Sequence, residues 1–374
     1  MSANRLEYKV ISMKTIAYFV TPHGFGHAAR SAAIMAALQD LAPEIRFDIY
    51  TRVPEWFFLD SGISDFHFAD IESDVGLVQR TPMEIDLPAT LQKLERFTQH
   101  WQGENLSRLR DQLLERETTL VVCDIAPLGL LAAHEAAINS VLIENFTWDW
   151  IYEAYKADHP GFNHFVELNR SRNALADWHI QTIPVCEPDL SVDLTSPPVA
   201  RGERDGRDFT RQTLGIADGQ IAVLITMGGI PDKYNQKETL KRKTDCVFIL
   251  PGSSDEVRQE GNLILLPHHS SFYHPDLIAA SDVVIGKAGY STIAEVYQSG
   301  KPFGYLLRPD FRESIPFGAY LKENLPSREI RQADFDSGAW IDVIDELRAM
   351  PIRKPAGGDG AAVVANFLRV KVGE

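Results

Sequence analysis

The run Thr21-Pro22-His23-Gly24-Phe25-Gly26-His27-Ala28-Ala29-Arg30 sets two imidazoles into a glycine-rich turn. The turn follows a β-rich segment, 15–21, and leads into a helical one. Glycine permits a tight strand-to-helix turn and close approach of a ligand. The helix start supplies free N–H groups and a positive dipole end, and the carboxyl edge of a parallel sheet is where ligands bind. His27 is therefore placed as a base toward an acceptor hydroxyl, because imidazole changes charge near neutrality. Capping or packing at the helix start is the alternative. His23 either orients an acceptor or holds the turn. Asp124, in VVCDIAPLG, ends a central strand candidate. Parallel topology would bring it to the edge occupied by His27, where a carboxylate fixes the tautomer of a base. Capping of a helix beginning at Pro127 is its alternative role.

A second constellation lies at Asp282-Val-Val-Ile-Gly-Lys-Ala-Gly-Tyr-Ser-Thr-Ile-Ala-Glu-Val. A buried strand runs into a turn containing Gly286 and Gly289, and Tyr290, Ser291 and Thr292 open a helix. Its N-terminus suits a diphosphate, with Lys287 adding charge at the same mouth. Glu295, one turn in, would accept from ribose hydroxyls; a solvated helix-face glutamate is the alternative. Gly228 and Gly229, after the strand 221–226, would let a diphosphate approach the backbone. His269, in Leu266-Pro267-His268-His269, would stand at the edge of a base.

Other signals are weaker. Gly24, Gly26 and Ala29 spell G-x-G-x-x-A, but the acid that supports a dinucleotide site is missing, since Asp48 lies mid-strand and Arg52 follows it. An NAD(P)-binding oxidoreductase stays open as an alternative. No phosphate loop of the G-x-x-x-x-G-K-[ST] type occurs. Asp334-Phe335-Asp336 reads as part of a helix start rather than a metal site, and no metal is expected. Trp148, Asp149 and Trp150 form either a sugar-stacking platform on the acceptor side or ordinary packing. Trp56, Phe57 and Phe58 read as core packing, with contact to lipid as the alternative.

The elements that must position these residues alternate β-rich and helical runs, which favours parallel sheets with crossover helices. Strands are expected at 15–21, 46–51, 119–123, 140–143 and 178–182, with helices over 26–39 and 89–116. The alternation restarts with strands at 221–226, 246–250, 262–266, 282–285 and 303–307. A chain of 374 residues exceeds what one core usually serves. The expected organisation is an acceptor domain over 1–190, a proline-rich linker over 191–206, a nucleotide-sugar domain over 207–355 and a last helix in 356–374. A net charge of −15 argues against a nucleic-acid partner and gives no support to contact with anionic lipid. No apolar run reaches a membrane span. Cys123, Cys186 and Cys246 are widely spaced and read as free thiols of a cytoplasmic protein.

The pair GFGHAAR and GKAGYSTIAEV resembles GT-B glycosyltransferases of the family that contains the bacterial peptidoglycan N-acetylglucosaminyltransferase. A likeness spanning nearly the whole chain is to the glycosyltransferase-like N-terminal region of plant L-arabinokinase. It is carried by HGFGHAAR, VPEWFF, DVGLVQRTPMEID, CDIAPLG, ENFTWDWIY, the Gly228-Gly229 turn and GKAGYSTIAE, in that order. The resemblance implies a GT-B fold, two Rossmann-like domains facing across a cleft, with the last helix packing back on the first domain. It implies a catalytic-cleft histidine in the first loop and a ribose-binding role for Glu295. Kinase activity does not carry over with the resemblance, because the matched motifs lie outside that protein's sugar-kinase half. The glutamine and asparagine cluster of the peptidoglycan enzyme is replaced here by Arg308-Pro309-Asp310-Phe311-Arg312-Glu313-Ser314, so the donor sugar does not carry over. Arg308 and Glu313 are candidate contacts for its hydroxyls. The expected function is inverting, metal-independent transfer of a hexose or pentose from a UDP-linked donor to an acceptor hydroxyl, without a cofactor. A non-catalytic nucleotide-sugar-binding module and an epimerase are the rival readings within the fold.

Overall fold

The computed structural model describes residues 13–81, 84–227, 236–353 and 357–372. Two seven-stranded sheets carry the architecture. The first runs, in spatial order, Phe66–Asp70, Ile45–Thr51, Lys14–Val20, Thr118–Asp124, Ser140–Glu144, Trp178–Thr182 and Leu194–Ser196, all parallel. The second runs Arg258–Glu260, Leu263–Leu266, Cys246–Pro251, Ile221–Thr226, Val283–Lys287, Phe303–Leu306 and Ser327–Glu329, and only its Arg258–Glu260 edge pairs antiparallel. The central strands are apolar on both faces because helices cover both, as parallel sheets require.

Both sheets reverse strand order beside their first strand. In the first the reversal lies between Lys14–Val20 and Thr118–Asp124, and in the second between Ile221–Thr226 and Val283–Lys287. Ligand crevices in open α/β sheets form outside the carboxyl ends of strands at such points. The histidine turn and Asp124 leave the first of these ends, and the Lys287–Ser291 turn leaves the second.

Three expectations need correction. The helix expected over 89–116 is two helices, Leu87–His100 and Glu104–Glu115, broken at Gly103, whose φ of 55° lies in the left-handed region. Leu194–Ser196, inside the stretch read as linker, is the last strand of the first sheet. Asp124 does not cap the helix Pro127–Ala136, which starts after Ala126 without a side-chain cap.

The helix Gly360–Lys371 lies against the first half. Ala361, Val364, Ala365 and Leu368 share a core with Ala28, Ala29 and Ala32 of the helix Phe25–Leu41. Small side chains on that helix let the two axes come close. Asp359 starts the last helix by accepting from the N–H groups of Ala361 and Ala362. Among the described residues no helix is long and apolar enough to cross a membrane. Cys123 and Cys246 are buried and Cys186 is partly so, all as free thiols.

Candidate active site

The first turn is shaped by Gly24, whose φ of 76° favours glycine and which caps the helix Phe25–Leu41. One turn into that helix His27 is buried, and its Nδ1 lies 2.8 Å from Asp124 Oδ1. Arg30, one further turn on, is fully buried and grips the same carboxylate with Nε at 2.7 Å from Oδ2 and Nη2 at 2.6 Å from Oδ1. Ser31 Oγ donates to Oδ2 at 3.1 Å. Arg30 Nη1 donates to Asn145 Oδ1 at 2.7 Å and Thr182 Oγ1 at 3.0 Å, and its guanidinium lies 4.6 Å over the Tyr290 ring of the second half. Burial alone would raise the Asp124 carboxyl, but the charge and hydrogen bonds of Arg30, then those of His27, hold it down at about 2. His27 Nδ1 also lies 3.1 Å from Arg30 Nη2; the tautomer carrying its proton on Nδ1 donates to Asp124 and leaves Nε2 bare.

Below this turn Asp74 accepts from Thr21 Oγ1 and Trp148 Nε1, both at 2.7 Å, and burial pushes its carboxyl up to about 7 against those bonds. His23 lies over Gly76, where a β-carbon would stand 2.3 Å from its Nδ1. Burial, then the charge of Arg308, lowers the His23 imidazole well below its ordinary range.

In the second half the helix Tyr290–Ser299 begins at Gly289 and faces the first turn; a β-carbon on Gly26 would lie 3.7 Å from Ser291 Oγ. The two helix N-termini thus meet across the cleft. A cavity of about 290 Å³ opens there, lined by His23, Gly24, Gly26 and His27 from the first half. Lys287, Gly289, Tyr290, Ser291, Thr292, Arg308 and Glu313 line it from the second. Among the described residues Lys287 makes no ion pair, and burial, then Arg308, lowers its ammonium to about 7. Arg308 is buried and pairs with Glu313 through Nη2, while its Nε has no hydrogen-bond partner among the described residues. Tyr290 is tied by its hydroxyl, which accepts from the Val199 N–H at 3.2 Å.

A second chamber of about 400 Å³ adjoins the first and shares Phe25, Ser291 and Thr292 with it. It holds His269 and Glu295. Glu295 is buried and already engaged: Arg201 Nε donates to Oε1 at 3.0 Å and His274 Nδ1 lies 2.8 Å from Oε2. It is therefore no solvated helix-face residue. His274 Nε2 in turn lies 3.1 Å from Thr226 Oγ1. Burial raises the Glu295 carboxyl, but Arg201 and His274 carry it below its usual value.

Gly286 and Asp149 line neither cavity. Gly228 and Gly229 lie outside the described residues. Gly286 faces its neighbouring strand instead of either cavity, and a β-carbon there would strike the Thr226 carbonyl oxygen at 2.1 Å. Asp149 turns toward the helix Phe162–Asn173, accepting from Asn173 Nδ2 at 2.9 Å, away from the 290 Å³ cavity. Trp148 is buried, stacked on Tyr152 at 5.8 Å, and meets the 290 Å³ cavity as wall rather than as an open platform. Arg30, Asp74, Arg201 and His274 were not singled out by sequence, although Arg30 stands one helical turn from His27, a spacing that puts both on one face. The Asp334–Asp336 pair lies in the helix Gln332–Ser337, with Asp334 bound to Arg331. Among the described residues no cluster of three histidine, cysteine or acidic side chains is arranged to hold a metal ion.

No family model matches the chain. It is 28% identical over 357 residues to L-arabinokinase of Arabidopsis thaliana, covering 94% of this chain and 34% of that protein. The chain thus spans about a third of the length of the curated relative it matches. Among solved structures it is similar to the glycotransferase of kitacinnamycin, at 16% identity, with 96% of this chain and 99% of that one covered and a TM-score of 0.65. It is also similar to a UDP-glucosyltransferase from Polygonum tinctorium, at 13% identity, 97% and 99% coverage and a TM-score of 0.63. For MurG of Acinetobacter baumannii the values are 13%, 96% and 99%, and 0.56. Two Rossmann-ordered domains facing across a cleft, shared end to end with these proteins, give the chain the GT-B fold.

Proposed function

We propose that the chain transfers a hexose or pentose from a UDP-linked donor to an acceptor hydroxyl, with inversion at the sugar and without need of a metal. The observation that carries this reading is the 290 Å³ cavity, where the His27–Asp124 pair faces Lys287, Arg308 and the helix start at Ser291. A donor laid across Ser291 and Thr292 would have its diphosphate on the helix N–H groups and Lys287, its ribose toward Glu295 and its sugar beside Arg308 and Glu313. His27 Nε2 would take the proton of the acceptor hydroxyl while its Nδ1–H stays on Asp124. The acceptor oxygen would bond to the anomeric carbon as the bond to the diphosphate oxygen breaks on the opposite face. The electron pair leaves with UDP, whose charge falls on fixed N–H groups and cations, so the protein itself supplies the electrostatic stabilisation.

A non-catalytic nucleotide-sugar-binding module is the second reading, favoured by the engagement of Glu295 with Arg201 and His274 before any ribose arrives. The NAD(P) reading loses support because Asp48 is buried and bound to Arg116. Titration calorimetry with UDP, UDP-sugars and NAD(P) is the test. UDP and at least one UDP-sugar should bind, and Glu295→Ala should weaken UDP by about 1.5–3 kcal/mol through loss of a charged hydrogen bond. NAD(P) binding without UDP binding overturns the proposal, and unchanged UDP affinity in Glu295→Ala removes the ribose assignment.

A further inference from the structure

The 400 Å³ chamber is walled by flat side chains from both halves: Phe25, Trp56 and Phe57 from the first, His268, His269 and Tyr273 from the second. Within it the Trp56 indole lies parallel to the His269 imidazole, with centroids 4.0 Å apart and planes at 18°. Phe25 meets Trp56 edge-on at 5.7 Å and Phe57 meets it at 5.8 Å. The indole plane is therefore set by neighbours rooted in the core, while among the described residues the ring stacked on its face toward the second half is an imidazole. That imidazole is about half exposed, and its Nε2 lies 3.0 Å from Oδ2 of the partly exposed Asp60. Such pairs are weak in water.

From this geometry we infer that Trp56, a residue of the first half, is the stacking platform for the planar base of the nucleoside diphosphate, which takes the place of the His269 imidazole. The inference rests on the nucleotide reading proposed above. Ser291 and Thr292 border both chambers, so a diphosphate seated there with its sugar beside His27 directs its base into the 400 Å³ chamber. Rings already in stacking contact leave no gap for a third, so the base must displace the imidazole. Stacking needs only a π-face and rewards any planar heterocycle. Because the platform belongs to one half and the diphosphate site to the other, a bound donor would tie the two together.

The test is titration of UDP and of inorganic pyrophosphate into the full chain and its Trp56→Leu and Trp56→Phe variants, followed by calorimetry and by tryptophan fluorescence. Trp56→Leu should weaken UDP by roughly five- to 150-fold and leave pyrophosphate unchanged. Trp56→Phe should restore most of the UDP affinity while removing the UDP-induced change in tryptophan emission. Unchanged UDP affinity in Trp56→Leu, or equal losses of UDP and pyrophosphate, overturns the platform. A wild-type chain that binds neither ligand overturns the nucleotide reading itself.

Discussion

Arg30 decides much of the electrostatics around His27. Its guanidinium and the Asp124 carboxylate are both fully buried, and each would be a costly lone charge without the other. Arg30→Met should lower unfolding free energy by about 3–5 kcal/mol in denaturant titration at neutral pH; an unchanged midpoint would show the pair to be dispensable. The pH dependence has a definite sign. A carboxyl held at about 2 in the fold, against about 3.9 unfolded, contributes stability that is fully present above about pH 4 and lost as pH falls through about 2. Lys287 behaves oppositely toward ligand. With its ammonium at about 7, a diphosphate that needs the charged form must bring a proton with it at higher pH. UDP affinity should then fall by up to about tenfold per unit from pH 7 to 9. Calorimetry in buffers of differing ionisation enthalpy should show proton uptake that disappears in Lys287→Met. Uptake that persists in the variant would place the proton elsewhere. At this scale His27 and Asp124 were legible because Asp124 ends a strand and His27 follows another across a short turn, and chain order alone sets that edge. Arg30 was not, because its partner is 94 residues away and helical spacing does not say which buried acid an arginine meets. For Trp148 and Asp149 the sequence leaves two readings open for a related reason: an aromatic cluster looks the same in sequence whether it faces a sugar or a core.

The elements explain why two glycines of one turn differ. Gly286 lies within the strand Val283–Lys287, where a methyl group would press on the backbone of Ile221–Thr226. Gly289 begins the helix Tyr290–Ser299 in extended backbone, and the nearest atom to an added β-carbon is 3.9 Å away. Gly286→Ala should therefore cost about 1–3 kcal/mol of stability by overpacking. Gly289→Ala should melt like wild type and weaken UDP, since the methyl group enters the space proposed for the diphosphate. Thermal melts and UDP titration of both variants check this pair; reversed behaviour would contradict the placement of the donor. The same distinction marks what sequence could show of the fold. Central strands such as Ile221–Thr226 read clearly because both faces are apolar. The edge strands Phe66–Asp70, Leu194–Ser196, Arg258–Glu260 and Ser327–Glu329 did not, being short and without a continuous apolar run.

Across the whole molecule, contacts between the halves ring the cleft. Arg30 meets Tyr290, Trp56 meets His269, Tyr155 Oη donates to the Asp310 carbonyl at 2.5 Å, and Arg312 lies 4.1 Å over Trp150. These contacts bring the base side, built from the first sheet, within reach of the diphosphate side, built from the second. Neither sheet alone contains both, so the proposed transfer belongs to the cleft rather than to either domain. The most direct measurement is release of UDP from a panel of UDP-sugars, with water as acceptor, by the wild-type chain and by His27→Ala. Wild type should turn over at least one donor slowly, and His27→Ala should lose roughly 10²–10⁴-fold with UDP affinity retained. Equal turnover by the two proteins, or donor binding with no turnover in either, would contradict the proposed transfer through His27.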